Sequence, residues 1–235
     1  MQYCVISPLN SSAVLLLNKI LRAAHETFIQ NSFDLFTDCP TRERAGWLCD
    51  SFFLGRAEKL YTGKNLIEKN FLENYLLLDN YENIPDGMIP MCYPADVDSG
   101  GFIPNWAMWF ILELRDYSYR TGDSAFISLF MDKVYRLIGW FESFENADGL
   151  LERLPGWVFI EWSKANDFVQ DINFPSNMLY SAALSAAGEL FSDEELKQKS
   201  EKLREIIRER SFDGEFFRDN EVYRNPLNSW ARMDS

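Results

Sequence analysis

The sequence predicts an all-α fold built of antiparallel helical hairpins, and two observations predict it. Apolar residues recur at the three-and-four spacing of an amphipathic helix in several separate stretches. Between two of these stretches stands Thr121-Gly122-Asp123, in which Gly122 suits a helix stop and Asp123 or Ser124 suits the cap of the next helix. Val14, Leu17, Leu21, Ala24 and Phe28 mark the first helix, with the single His25 inside its pattern. A second helix is expected over about 49–61, and Leu66, Phe71, Tyr75 and Leu78 mark a third. Trp109, Phe110, Leu114 and Tyr117 mark the next, followed by Ile127, Phe130, Val134, Leu137 and Phe141. Further helices are expected over about 176–190 and 193–210, the last so rich in charge that much of its circumference must face water.

Two connections are long for a helical bundle, 83–105 and 146–177. Ordinary helix links are short, and long ordered ones are disproportionately functional. Both carry or abut Trp and acidic residues, where a toroid of helical hairpins would place its substrate pocket. There is no low-complexity tract and no linker that divides the chain cleanly.

At 235 residues and 47% hydrophobic content, the chain can bury a substantial core as one large domain or two small ones. Aromatic residues make up 15%, including seven Trp, which makes some of them candidates for lining a concave ligand site. The net charge of -13 argues against a nucleic-acid partner, because phosphate binding needs clustered Lys and Arg. A neutral carbohydrate meets no such objection. Cys4, Cys39, Cys49 and Cys92 show neither paired CxxC spacing nor the density of a disulfide scaffold, so neither a metal site nor a cofactor is expected. The apolar run "AVLLL" is too short to span a bilayer, and no basic segment with a cleavage site precedes it, so no membrane partner is expected.

The densest chemistry lies at 37–50, "TDCPTRERAGWLCD". Pro40 suits a first helical turn and pushes Cys39 toward an extended conformation, so Asp38 is expected just outside a helix N-terminus. If the next residues are helical, Glu43, Trp47 and Asp50 share one face, although Gly46 weakens the helix. Were Asp38, Glu43 and Asp50 to converge in a partly buried pocket, mutual repulsion and burial would raise the pKa of one of them. A carboxyl that keeps its proton near neutral pH is what glycosidic cleavage asks of its general acid. Arg42 or Arg44 could hold the other carboxylates ionised, and Trp47 could offer its face to a sugar ring. Spacing alone is better served by a helix cap, a solvated turn and a core tryptophan.

The wording of the stretch is more specific than its spacing. "DCPTRERAGWLCD" resembles the signature of bacterial α-L-rhamnosidases, glycoside hydrolase family 78, through Asp38, Cys39, Pro40, Arg42, Glu43, Gly46, Trp47 and Asp50. Cys49 departs from the commoner Gly. The similarity continues through "GMIPMCYPAD", "FIPNWAMWFILELRDYSYRTGD" and "FIEW". The resemblance implies an (α/α)6 barrel of six helical hairpins, with Glu43 as general acid and Asp38 and Asp50 holding rhamnose hydroxyls. It makes Trp47 and Arg42 pocket residues, and Trp106 and Trp162 further pocket walls. It also implies inversion of anomeric configuration, with a second carboxylate activating water. That base is a Glu from later in the family's barrel, and Glu161 in "FIEW" more resembles a substrate-binding segment than the base.

Roughly seven or eight helices are expected, short of six complete hairpins. Residues 1–235 are therefore expected to form the N-terminal part of one (α/α)6 catalytic domain, an incomplete toroid from a longer multidomain enzyme. The expected partner is a rhamnoside. A non-catalytic carbohydrate-binding toroid, another six-hairpin glycosidase, and a helical scaffold whose acids are only caps and surface charge remain as alternatives.

Overall fold

The computed structural model describes residues 12–95 and 100–221. Cys4 and positions 96–99 of the first long connection lie outside the described residues. Within them the regular structure is helical: α1 (Ser12–Gln30), α2 (Asp50–Thr62), α3 (Leu66–Asn74), α4 (Pro104–Thr121), α5 (Ser124–Ser128), α6 (Met131–Glu142), α7 (Phe174–Phe191) and α8 (Glu194–Ser211). A 3-10 turn at Lys164–Phe168 interrupts the second long connection, and β-pairing is limited to isolated bridges. The chain divides into two compact units, the first holding α1 to α3 with Cys92–Ala95, the second Leu78–Met91 with α4 to α8.

Aromatic side chains run through the first unit. Phe28 of α1 tilts against Tyr61 of α2 at 5.4 Å, and His25 meets the same ring edge-on at 4.8 Å. Phe36, Phe71, Tyr75 and Tyr93 continue the series at 6.2, 5.8 and 5.7 Å between successive centroids, within the range where aromatic pairs attract. Gly63 ends α2 in the left-handed conformation. The start of α3 is then capped from α2: the Glu58 carboxylate, 2% exposed, accepts from the backbone N–H groups of Leu66, Ile67 and Glu68 at 2.7, 3.0 and 3.0 Å.

In the second unit Pro104 opens α4 and Gly122 closes it, after which Asp123 caps α5 by accepting from Phe126 N at 3.1 Å. Helix α7 packs on both α4 and α8. Its contact with α8 is close at Gly188, where a Cβ would lie 2.7 Å from Lys197 Cγ and 2.9 Å from the Asp193 carbonyl oxygen. Asp193 caps α8 through Glu195 N and Leu196 N, and α8 buries Leu196, Leu203 and Ile207 while its charged face stays in water.

Three expectations need correction. The stretch after Pro40 is a loop, and helix begins only at Asp50. The series Ile127 to Phe141 is two helices, separated where Phe130 N bonds Ile127 O at 3.0 Å, an i to i−3 turn. Such a turn keeps Phe126 and Phe130 both inward, edge-on to one another at 5.2 Å, so the apolar spacing runs across the break. Helix α3 stops at Asn74 because Tyr75, Leu76 and Leu77 all bond three residues back, which buries Tyr75 and leaves Leu78 in the connection.

Asp219 is 4% exposed and neither side-chain oxygen has a hydrogen-bond partner among the described residues; burial pushes its pKa up to about 6. A carboxyl that binds its proton more tightly folded than unfolded opposes folding once ionised. The penalty is absent below about pH 4 and complete above about pH 6. Asp219→Asn should therefore raise the melting temperature at pH 7, by a stabilisation of at most about 3 kcal/mol, and change it little at pH 4. Equal shifts at the two pH values in thermal melts would contradict this assignment.

Candidate active site

The loop 38–49 is closed on itself by its first acid. Asp38 N donates to Ala45 O at 3.2 Å, and Ala45 N donates to Asp38 Oδ1 at 3.1 Å. Inside this closure Glu43 N donates to Cys39 Sγ at 3.2 Å, and Arg44 adopts φ 50. Gly46 and Trp47 then pair with Cys92 and Tyr93: Tyr93 N donates to Gly46 O at 3.1 Å, and Trp47 bridges Cys92. The approach demands glycine, since a Cβ on Gly46 would lie 2.9 Å from the Tyr93 carbonyl oxygen and 3.1 Å from the Phe71 ring. Cys49, at φ 74, turns the chain into α2 and sets Asp50 at its first residue.

This loop brings the three acids within electrostatic reach of one another. Burial, then the charge of Asp38, and to a smaller extent that of Glu43, push the Asp50 pKa up to about 6, against the opposing effect of its own backbone N–H. The same two charges add to burial in raising the Cys92 thiol to about 11. Asp50, half-buried at the first residue of α2, thus holds its proton to higher pH than an ordinary carboxyl. Glu43 is the outward carboxylate: its side chain is 44% exposed and pairs with Arg42 at 3.1 Å. Trp47 is half-buried, and its indole N–H is enclosed without an acceptor among the described residues.

Trp106 and Trp162 belong to the second unit. Trp106 lies in the first turn of α4, half-buried and edge-on to Phe159 at 5.0 Å. Trp162 is 81% exposed and packs edge-on against Phe159 at 5.0 Å and Trp157 at 5.9 Å. Glu161, beside it, is half-buried. Sequence reasoning passed over Trp157 and Phe159, and weighed Cys92 only for metal or disulfide chemistry. The segment "GWVFIEW" did signal aromatic density, but its spacing carries no information on which rings face water. Among the described residues no group of three or more His, Cys, Asp or Glu side chains is arranged to hold a metal ion.

Residues 8–223 match the family described as bacterial alpha-L-rhamnosidase 6 hairpin glycosidase domain, and the chain belongs to that family. Two solved structures share its fold. One is a GH78 family rhamnosidase of Bacillus sp. GL1, 23% identical over 87% of this chain with a TM-score of 0.67. The other is a rhamnosidase from Klebsiella oxytoca with rhamnose bound, 18% identical over 90% of this chain with a TM-score of 0.72. This chain spans 22% and 42% of those two chains. No functionally curated protein matches it. The all-helical architecture and these likenesses fit an incomplete (α/α)6 toroid.

Proposed function

We propose that the chain forms the acid-bearing part of an inverting α-L-rhamnosidase that removes terminal rhamnose from glycans or glycosides. The observation that carries the reading is the loop of residues 38–50, which folds three carboxylates into one interacting group with unlike environments. Glu43, the outward member, can reach a leaving glycosidic oxygen and is assigned as general acid. Asp38 and the enclosed Asp50 are assigned to the sugar hydroxyls. For Asp38 one carboxylate oxygen is already held by the Ala45 N–H, which fixes its orientation. For Asp50 the proton that it keeps up to about pH 6 lets the carboxyl donate as well as accept a hydrogen bond.

Arg42 pairs with Glu43 and is assigned to the pocket rim, Trp47 to its wall, and Trp106 and Trp162 to further aromatic contacts. The water-activating carboxylate is assigned to none of the described acids and is proposed to come from outside residues 1–235. Family membership supports the carbohydrate substrate, and the charge of -13 suits a neutral one.

Proton NMR of the reaction on an aryl α-L-rhamnoside tests the stereochemistry. The full-length protein should release β-L-rhamnose first, with the α-anomer growing in only by mutarotation. Initial release of the α-anomer would require a covalent intermediate and would contradict the inverting assignment.

A further inference from the structure

The side chain of Asp219 bonds nothing among the described residues, yet the backbone around it is fastened from several sides. Phe174 N donates to Asp219 O at 2.8 Å, and Asn173 Nδ2 donates to the same oxygen at 3.5 Å. Asn173 and Asn220 pair as an isolated bridge, and the Nδ2 of each donates to Phe168 O, at 3.2 and 3.0 Å. Asn173 Oδ1 accepts from Ser176 N at 2.9 Å and Ser176 Oγ at 2.6 Å, and Ser176 Oγ accepts from Asn105 Nδ2 of α4 at 3.0 Å. On the other side Arg218 N donates to Ser211 O at 2.9 Å, which ties the turn to the end of α8.

This frame sets Asp219 in the wall of a cavity of about 310 Å³, lined among the described residues by Pro175, Met178, Phe217, Arg218 and Asp219. Pro175 and Met178 come from the start of α7, and Phe217 is 44% exposed, so this wall reaches water. A buried carboxylate with both oxygens unbonded lowers stability. A fastened turn that keeps one beside a cavity is explained by a partner that arrives from outside.

The wall selects the chemistry of that partner. A carboxylate accepts hydrogen bonds through two oxygens side by side and donates none. Its charge repels an anion, and Arg218 in the same wall disfavours a cation. A neutral molecule with two adjacent hydroxyl donors and an apolar face meets both conditions, with Pro175, Met178 and Phe217 against its carbon side. Vicinal hydroxyls on a pyranose are such a pair. Met178 is unbranched and flexible, so its side chain can yield as a ring enters.

We propose that Asp219 binds vicinal hydroxyls of a glycoside in this cavity, with Phe217 against the ring. The inference rests on the carbohydrate reading of the chain and not on the role given to Glu43. The ring is that of the rhamnosyl group or of the sugar joined to it, and both offer the same diol.

The test is calorimetry on the full-length protein with two thioglycosides, which resist hydrolysis: methyl 1-thio-α-L-rhamnoside, with one ring, and a sulfur-linked rhamnosylglucoside, with two. Asp219→Asn should weaken binding of at least one by about tenfold or more, while its melting temperature at pH 7 does not fall. Loss on the one-ring ligand assigns the rhamnosyl ring, and loss confined to the two-ring ligand assigns the sugar joined to it. Phe217→Ala should weaken the same ligand by about threefold. Wild-type affinity in Asp219→Asn would overturn the proposal, as would a wild-type protein that binds neither thioglycoside. So would a melting temperature that ethylammonium raises in wild type but not in Asp219→Asn, with glycoside affinity equal in the two. Should Asp219→Asn fail to fold, unchanged affinity in Phe217→Ala would overturn it instead. If a thioglycoside binds through Asp219 but no rhamnoside is cleaved, the catalytic reading fails and the Asp219 site stands. If cleavage persists while Asp219→Asn binds normally, the Asp219 site alone fails.

Discussion

Glu43→Gln in the full-length protein should lower hydrolysis of methyl α-L-rhamnoside by about 10²–10⁴-fold, the usual worth of a positioned general acid. The substitution keeps the shape of the side chain and removes only its capacity to give up a proton. Its structural cost should be small, because the one ion pair of Glu43 among the described residues joins Arg42 and Glu43 side chains that are 80% and 44% exposed. The loop's own closure runs through backbone groups, Asp38 and the Cys39 sulfur, none of which the change touches. Initial rates, a thermal melt and calorimetry with rhamnose should thus show lost turnover, an unchanged melting temperature and retained binding. Retained turnover would remove Glu43 from its assigned role.

The second large effect is on stability. Glu58→Ala should cost about 3 kcal/mol, read as a lower urea midpoint at an unchanged slope. Three N–H groups at the start of α3 converge on the two oxygens of this carboxylate, and all three lose their acceptor together. The negative charge also sits at the positive end of the α3 dipole, where a carboxylate is favoured. Glu58→Gln should fall between wild type and Ala, because its single amide oxygen can still accept but the charge is gone and the NH2 faces a donor. A loss below about 0.5 kcal/mol in Glu58→Ala would mean that water satisfies these groups and that the cap is incidental.

The helices were legible because their signals are local. Gly122 and Asp123 act within four residues of one another, and the charged face of α8 follows from its own sequence. The loop at 38–49 was misjudged because what shapes it is not local. Pro40 does suit a first turn, but the mutual bonding of Asp38 and Ala45 and the pairing of Trp47 with Cys92 override it. The positive φ of Arg44 and Cys49 has no signature in residue type.

The candidate acids were legible as a set, through the motif. Which of them would hold a proton was not, since that depends on the enclosure of Asp50, a property of the folded chain. The exposure of Trp157 was hidden for a related reason: whether a loop tryptophan is core or surface is decided by contacts such as the bond from Ile160 N to the Asn166 side chain and the seating of Gly156 on Phe102.

The central claim is that Glu43 delivers the proton to the departing oxygen, and leaving-group dependence tests it most directly. Rates of wild type and Glu43→Gln should be compared on methyl α-L-rhamnoside, whose leaving group needs a proton, and on 2,4-dinitrophenyl α-L-rhamnoside, whose leaving group departs without one. The account predicts that the variant loses about 10²–10⁴-fold on the first and less than about tenfold on the second. An equal loss on both substrates would contradict it, because the role of Glu43 would then lie in binding or structure and not in proton donation.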